Sequence, residues 1–459
     1  MAQEFEDLGG SSSSNPSFFR RWVSSLVIRR LSNVDRRERR RRQFEQRRVK
    51  AGEPHHVEYF HQIEDPYSYL AAQVLQSLLN TYGIELTCHL VSGPPGDNAP
   101  EPDMLLPYSQ RDCELVAPHY GLVFPAAAKA PGQKQIDLAA RVLSAAPESD
   151  FPQLSVTVAK ALWCGDILEL KALADRLGES SPEESEARLL AGNARREKLG
   201  HYSAAMFWYG DEWYWGIDRL YHLENRLAGL NLRRGAGRQL LMPRPGVEKS
   251  TLRDSDTMTL EIYISLRSPY SAIIFDKAVA LAKHTGVHLR VRPVLPMVMR
   301  GTPVTRQKGM YIAFDAAREA ESLGVPWGNA WDPIGKPVRN GLSLYEWAET
   351  QHKGNELLSA FMQLAWSQKI NTNNKRGLRK VVQAAGLDWQ AARSQLKNNQ
   401  WEDVVETNRQ SMYKQGIWGV PAFRLLDRDA NTIVSAWGQD RLWLIARTIQ
   451  ERLRNINPD

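Results

Sequence analysis

Ser268-Pro269-Tyr270-Ser271 sets a hydroxyl and a proline at the head of an apolar helical pattern, shortly after the strand-like stretch Thr259 to Ile264. Serine as N-cap and proline as first helical residue is ordinary capping grammar, which by itself requires no function. Location is what points to chemistry, because a helix that begins at the carboxyl end of a first strand lies where open α/β sheets bind ligands. The unpaired N–H groups there, with the partial positive charge of the helix end, stabilise an anion such as a thiolate or a carboxylate. A serine hydroxyl can donate a hydrogen bond to that anion. In a second segment, Gly416-Ile417-Trp418-Gly419-Val420-Pro421-Ala422-Phe423, a proline enters a strand, and a cis Val420-Pro421 bond is a candidate.

Both segments have counterparts in the first half. Glu64-Asp65-Pro66-Tyr67-Ser68-Tyr69-Leu70 precedes Arg267-Ser268-Pro269-Tyr270-Ser271-Ala272-Ile273 by 203 residues. The same offset links Gly83 to Gly286, Tyr108 to Tyr311, Asp112 to Asp315 and Gly121 to Gly324. Self-similarity of this kind signals duplicated domains. Trp215-Gly216-Ile217-Asp218-Arg219-Leu220 is then answered by Trp437-Gly438-Gln439-Asp440-Arg441-Leu442, after the offset has grown by 19 residues. The copies differ where chemistry would take place. Asp65 stands for Ser268, and its carboxylate would repel an anion; Ala205 stands for Pro421, so no cis bond is expected there.

The elements that must position these residues follow from periodicity. His56 to Phe60 reads as a strand, Pro66 to Leu79 as a helix and Ile84 to Val91 as a second strand; Thr259 to Ile264, Pro269 to His284 and Val287 to Pro293 repeat that βαβ start. Long helical patterns follow, Ala99 to Lys198 and Met299 to Met412. Two strand pairs then close the sheets before a terminal helix in each half: Ala205 to Tyr209 with Trp213 to Trp215, and Pro421 to Leu426 with Thr432 to Ala436. The expected domains are residues 54–230 and 258–456, joined by a Gly/Pro-rich linker over 231–257.

Ahead of them, residues 1–50 comprise a Ser/Gly-rich start, expected to be disordered, and a basic amphipathic helix. Phe19, Trp22, Val23, Leu26, Val27, Leu31 and Val34 recur on one helical face. From Arg20 to Lys50, thirteen Lys and Arg residues stand against Asp35, Glu38 and Glu45. That segment exceeds the net +7 of the whole chain, so the two domains are net acidic and no nucleic-acid partner is expected through them. The helix is expected to contact an anionic membrane surface, to dock on a protein partner, or to pack on the first domain with its tail in solvent.

With 42% apolar and 24% charged residues, and no apolar run of spanning length, the composition is that of a soluble globular protein. The start lacks the order of a secretory signal, so a cytoplasmic location is expected. Cys88, Cys113 and Cys164 are not spaced as a disulfide framework or a thiolate metal site and read as small buried residues. His55, His56 and His61 lack ligand partners at suitable spacing, so no metal is assigned. Trp213, Tyr214, Trp215, Trp327, Trp331 and Trp347 read as core or interface aromatics, and Tyr108 and Tyr311 as packing residues.

A strand, Ser-Pro-Tyr-Ser opening a helix, a helical insertion, the Gly-Val-Pro-x-Phe segment and the Trp-Gly-x-Asp-Arg signature together resemble the DsbA-like branch of the thioredoxin superfamily. Within it they resemble 2-hydroxychromene-2-carboxylate isomerase and kappa-class glutathione transferase. The second half carries the resemblance with several ordered motifs, the first half more weakly. It implies an α/β protein of two tandem thioredoxin-like (DsbA-like) domains, each with a helical insertion, preceded by the basic N-terminal helix. It also implies glutathione as cofactor and a small electrophilic substrate. Ser268 would hold the glutathione sulfur as a thiolate, where dithiol relatives have their nucleophilic cysteine. Lys308, ahead of Gly309-Met310-Tyr311, would help bind the peptide. Val420 before Pro421 would pair its backbone with the cysteinyl part. Asp440 would meet the γ-glutamyl amino group, with Gln439 beside it where relatives carry a small polar residue. Val298-Met299-Arg300-Gly301 departs from the family's Gly-Asn pair, and Leu105 in the first copy falls at the Lys308 position.

Two readings follow. The second domain is a glutathione-dependent isomerase or transferase, with a catalytically silent first domain that serves packing, pairing or partner binding. Alternatively, both domains are a binding scaffold tethered by the basic helix. A dithiol oxidoreductase fails because neither active-site position holds a cysteine. Oligomerisation stays open.

Overall fold

The computed structural model describes residues 14–247 and 251–456. Residues 1–13 of the expected disordered start, and 248–250 of the expected linker, lie outside the described residues. The chain divides into two compact units: Glu38–Arg244, and the residues through Arg37 together with those from Pro245 onward.

Two helices come first, α1 (Phe18–Leu31) and α2 (Val34–Ala51). Ser17 caps α1, its side chain accepting from Arg20 N, and the break at Ser32-Asn33 divides what the sequence presents as one amphipathic stretch. Glu38–Arg244 continues with β1 (His56–His61), α3 (Pro66–Thr81) and β2 (Glu85–Leu90). Its helical insertion is α4 (Pro102–Val116), α5 (Gln133–Ala145), α6 (Phe151–Trp163), α7 (Ile167–Leu177) and α8 (Pro182–Lys198). The hairpin β3 (Met206–Tyr209) and β4 (Glu212–Trp215) and the helix α9 (Gly216–Gly229) complete it.

The other unit repeats the plan with β5 (Thr259–Ile264), α10 (Pro269–Thr285) and β6 (His288–Pro293). Its insertion is α11 (Arg306–Ser322), α12 (Lys336–Thr350), α13 (Gly354–Ser367), α14 (Lys375–Ala384), α15 (Trp389–Gln395) and α16 (Trp401–Tyr413). It ends with β7 (Ala422–Leu426), β8 (Thr432–Trp437) and α17 (Leu442–Ile456). Each unit therefore holds a mixed four-stranded sheet, ordered β2-β1-β3-β4 and β6-β5-β7-β8. In each, the first two strands are parallel and the hairpin strands antiparallel.

The likeness reaches individual contacts. Strands β1 and β5, and likewise β2 and β6, begin and end at positions 203 apart. Tyr67 Oη donates to Asp112 Oδ2 at 2.8 Å, and Tyr270 Oη donates to Asp315 Oδ2 at 2.8 Å. Gly121 and Gly324 both close a turn in the left-handed region, at φ 67° and 65°. Trp163 and Trp366, again 203 apart, are both buried.

The central strands are buried on both faces, and each carries one glutamate into the interior, Glu58 and Glu261. Burying a carboxylate is tolerable only with paired charge. Arg195 Nη2 reaches Glu58 Oε1 at 2.5 Å and His89 Nε2 lies 2.8 Å from Oε2; Arg292 and Arg424 both pair with Glu261, at 2.6 and 2.5 Å. Burial alone would raise Glu58, but the Arg195 and His89 hydrogen bonds overcome it and hold the carboxyl down to about 2.

Part of the basic run of α2 is engaged inside Glu38–Arg244. Arg41 holds Glu212 with two hydrogen bonds of 2.7 and 2.8 Å, Arg48 pairs with Glu45, and Arg47 with Asp211. Helix α1 belongs instead with the later residues. Among the cysteines, Cys88 and Cys113 are buried as expected of small apolar residues, but Cys164 is exposed: it follows the last turn of α6, where the chain turns out through Gly165.

Candidate functional site

Ser268 caps α10: its Oγ accepts from Ser271 N at 3.2 Å. That bond occupies acceptor capacity and leaves the hydroxyl proton free to donate. It donates to the carbonyl oxygen of Val420, 3.3 Å away and 152 residues later. The helix end is braced from below, since Ser271 Oγ accepts from Ser265 N and Ser268 N donates to Ser265 O. The Ser265 hydroxyl, almost fully buried, has no hydrogen-bond partner among the described residues.

The Val420-Pro421 peptide bond is cis. Gly438 N donates to Pro421 O at 2.9 Å, tying this loop to the end of β8. Gly419 lets the loop lie flat on the Trp437 indole, because a Cβ there would come within 2.2 Å of Trp437 Cζ2. Trp418 packs on the same indole with ring centroids 4.6 Å apart. Arg300 Nη2 donates to Trp418 O at 3.0 Å, adding a third brace. The Val420 N–H makes no hydrogen bond among the described residues.

Lys308 lies in the first turn of α11, where Thr305 Oγ1 caps its backbone N–H, and α11 packs against α10. Its ammonium has no acceptor among the described residues, and burial lowers it to about 8. A desolvated ammonium without a counter-charge is suited to receive an anion. Gln439 is buried, and its Nε2 donates to Glu319 Oε2 in α11, so the side chain faces the interior. Asp440 is partly exposed, with Arg441 Nη1 at 3.8 Å. The structure thus brings Ser268, Val420 and Pro421 together directly. Lys308 stands on the neighbouring helix, and Gln439 and Asp440 follow the glycine that ties to Pro421.

Residues 259–450 match the family described as the DSBA-like thioredoxin domain. The second half carries such a domain. Among solved structures, the chain is similar to a probable DsbA oxidoreductase from Streptomyces coelicolor, at 21% identity and a TM-score of 0.34, covering 43% of this chain and 89% of that one. It is also similar to 2-hydroxychromene-2-carboxylate isomerase, at 18% and 0.36, covering 43% and 97%. The cytosolic disulfide reductase DsbM from Pseudomonas aeruginosa matches at 18% and 0.33, covering 42% and 99%. No curated protein sequence gives a significant match.

The DSBA-like domain has further polar residues that the sequence does not single out. Arg267, next to Ser268, forms a two-pronged pair with the buried Asp332, Nε–Oδ1 3.0 Å and Nη2–Oδ2 3.3 Å. Burial would raise Asp332, yet Arg267, Ser24 and Arg21 hold it below the ordinary carboxylate range. Arg300 was visible only as a departure from the family pattern. Neither partner could be found by spacing, being 65 and 118 residues away.

In the first half, Asp65 caps α3 with its own carboxylate, which accepts from Tyr67 N at 3.3 Å, Ser68 N at 2.9 Å and Ser68 Oγ at 2.7 Å. The helix end that would attract an anion is therefore filled from within. Burial nevertheless raises Asp65 to about 6. Ala205, at the Pro421 position, has φ 53° and its carbonyl accepts from Gly216 N at 2.7 Å, repeating the Pro421 to Gly438 tie without the proline.

Proposed function

We propose that the DSBA-like domain binds glutathione with its thiol ionised at Ser268 and presents it to a small electrophilic substrate, as an isomerase or a transferase. The observation that carries this reading is the Ser268 hydroxyl, capped from behind by Ser271 N and aimed at the Val420 carbonyl across 3.3 Å. Such a long hydrogen bond is readily exchanged for a stronger one to an anion. When bound, glutathione supplies a nucleophilic sulfur for reversible addition to an activated double bond.

The residues present fit that group. The N-terminus of α10 and the Ser268 hydroxyl lower the thiol's pKa by favouring its charged form. Val420 offers an N–H unpartnered among the described residues beside its carbonyl, a donor and acceptor pair for an extended peptide. Lys308 offers positive charge to a carboxylate, and Asp440 a carboxylate to an ammonium. The Gln439 side chain, committed to Glu319, would contribute through its backbone. The first half, with Asp65 in the anion's place, would bind none.

Titration calorimetry with glutathione tests the reading. Binding that Ser268→Ala weakens supports it; absence of binding by the wild type favours the scaffold alternative.

A further inference from the structure

Helix α1 is attached to its unit by the wrong face for an ordinary amphipathic helix. Arg21, 1% exposed, donates from its guanidinium to the carbonyl oxygens of Asp332 and Ile334. Ser25, also buried, accepts from Asp332 N at 2.9 Å, and Ser24 Oγ donates to Asp332 Oδ2 at 3.0 Å. These polar residues recur every three or four positions and define the docked side. The apolar residues lie elsewhere on the helix: Phe19 is 68% exposed, Trp22 41%, Leu26 44%, and Val23 and Val27 are also exposed. At 100° per residue, Phe19, Trp22, Val23 and Leu26 form one continuous outward stripe.

Exposing such a stripe costs hydration free energy unless something covers it. Its borders identify the cover. Arg20 and Arg30 are exposed beside it, and α1 has no acidic residue in its first turn or anywhere along its length. A second copy pairing through this face would bring those arginines together, whereas an anionic lipid surface complements both the charge and the apolar residues. At 14 residues α1 is too short to span a bilayer, and among the described residues no helix is long and apolar enough to do so. We propose that α1 is an interfacial anchor, held by Arg21, Ser24 and Ser25 so that Phe19, Trp22, Val23 and Leu26 enter the headgroup region of an anionic membrane.

The test is co-sedimentation of the full chain with vesicles of phosphatidylcholine alone or mixed with phosphatidylglycerol. The mixed vesicles should bind the protein, and added salt should weaken the binding. Arg30→Gln should reduce the partition about fivefold. Phe19→Ser with Trp22→Ser and Leu26→Ser should reduce it by more than about tenfold, with circular dichroism and thermal midpoint unchanged. Failure of the wild type to bind mixed vesicles would overturn the proposal. So would equal binding by the triple variant, or concentration-dependent self-association that this variant abolishes while vesicles remain unbound.

Discussion

Ser268 Oγ and the Val420 carbonyl oxygen meet at 3.3 Å, joining the start of α10 to the loop that leads into β7. One side of this contact is a donor that the helix cap leaves free, and the other is backbone of the kind that pairs with an extended peptide. Around it stand three ties that hold the loop: Gly438 N to Pro421 O, Trp437 beneath Gly419, and Arg300 to Trp418 O.

The clamp predicts that Gly419 tolerates no side chain. A Cβ would sit 2.2 Å from the Trp437 ring, so Gly419→Ala should destabilise the protein by about 1–3 kcal/mol. It should also weaken glutathione binding by displacing Val420. A thermal midpoint and affinity equal to the wild type would show that the loop is not held by this contact.

Lys308 predicts a pH dependence. Burial lowers its ammonium to about 8, so the folded state releases its proton before the unfolded state does. The penalty on folding is present below that value and is relieved as pH rises through it toward 10.5. Anion binding has the opposite sign: affinity for S-methylglutathione, which has no thiol to titrate, should fall as pH rises above about 8. In Lys308→Met the affinity should be lower and this fall absent, as isothermal titration at several pH values would show. An unaltered pH profile in the variant would remove Lys308 from the site.

Asp65 is raised by burial from 3.8 to about 6, so its ionised form is penalised in the folded state. The penalty is absent below the unfolded value, grows as pH rises between the two, and is complete above about 6. Asp65→Asn cannot ionise. Relative to the wild type, its thermal midpoint should therefore improve between pH 4 and pH 7. A difference independent of pH would contradict the buried-carboxylate account of the first half.

Glu261 is the shared counter-charge of Arg292 and Arg424. Burial would raise it, but the two arginines hold it below 4.5, so its contribution is present above 4.5 and is lost as pH falls. Glu261→Gln leaves Arg292, Arg424 and the half-exposed Arg290, 3.3 Å from Oε1, facing a neutral amide, with an expected loss of about 3–5 kcal/mol in urea unfolding. A loss under about 1 kcal/mol would mean that water screens the cluster.

The fold was legible because β1 and β5 each precede a Pro-headed helix by four residues, and the same order recurs 203 residues later, a pattern with few alternative structures. Ser268, Val420 and Pro421 were legible for a related reason: each sits at an element boundary, where local grammar restricts residue type. Arg267–Asp332 and Arg300–Trp418 were not, since nothing local specifies a partner 65 residues away across α10 and α11, or 118 residues away across the six helices of the insertion. Helix α1 was legible in part. Its apolar periodicity marks one face, but the docked contacts come from Arg21 and Ser25 on the other side, through hydrogen bonds with Asp332 and Ile334. Periodicity locates a face but does not say which face is covered.

Whether Ser268 stabilises a thiolate is read from the ultraviolet titration of the thiol of bound glutathione in the wild type and in Ser268→Ala. In the wild type the bound thiol should ionise well below the ordinary value of about 8.5, and in the variant its ionisation should need a proton concentration lower by about tenfold or more. A bound thiol that titrates alike in both proteins would contradict it.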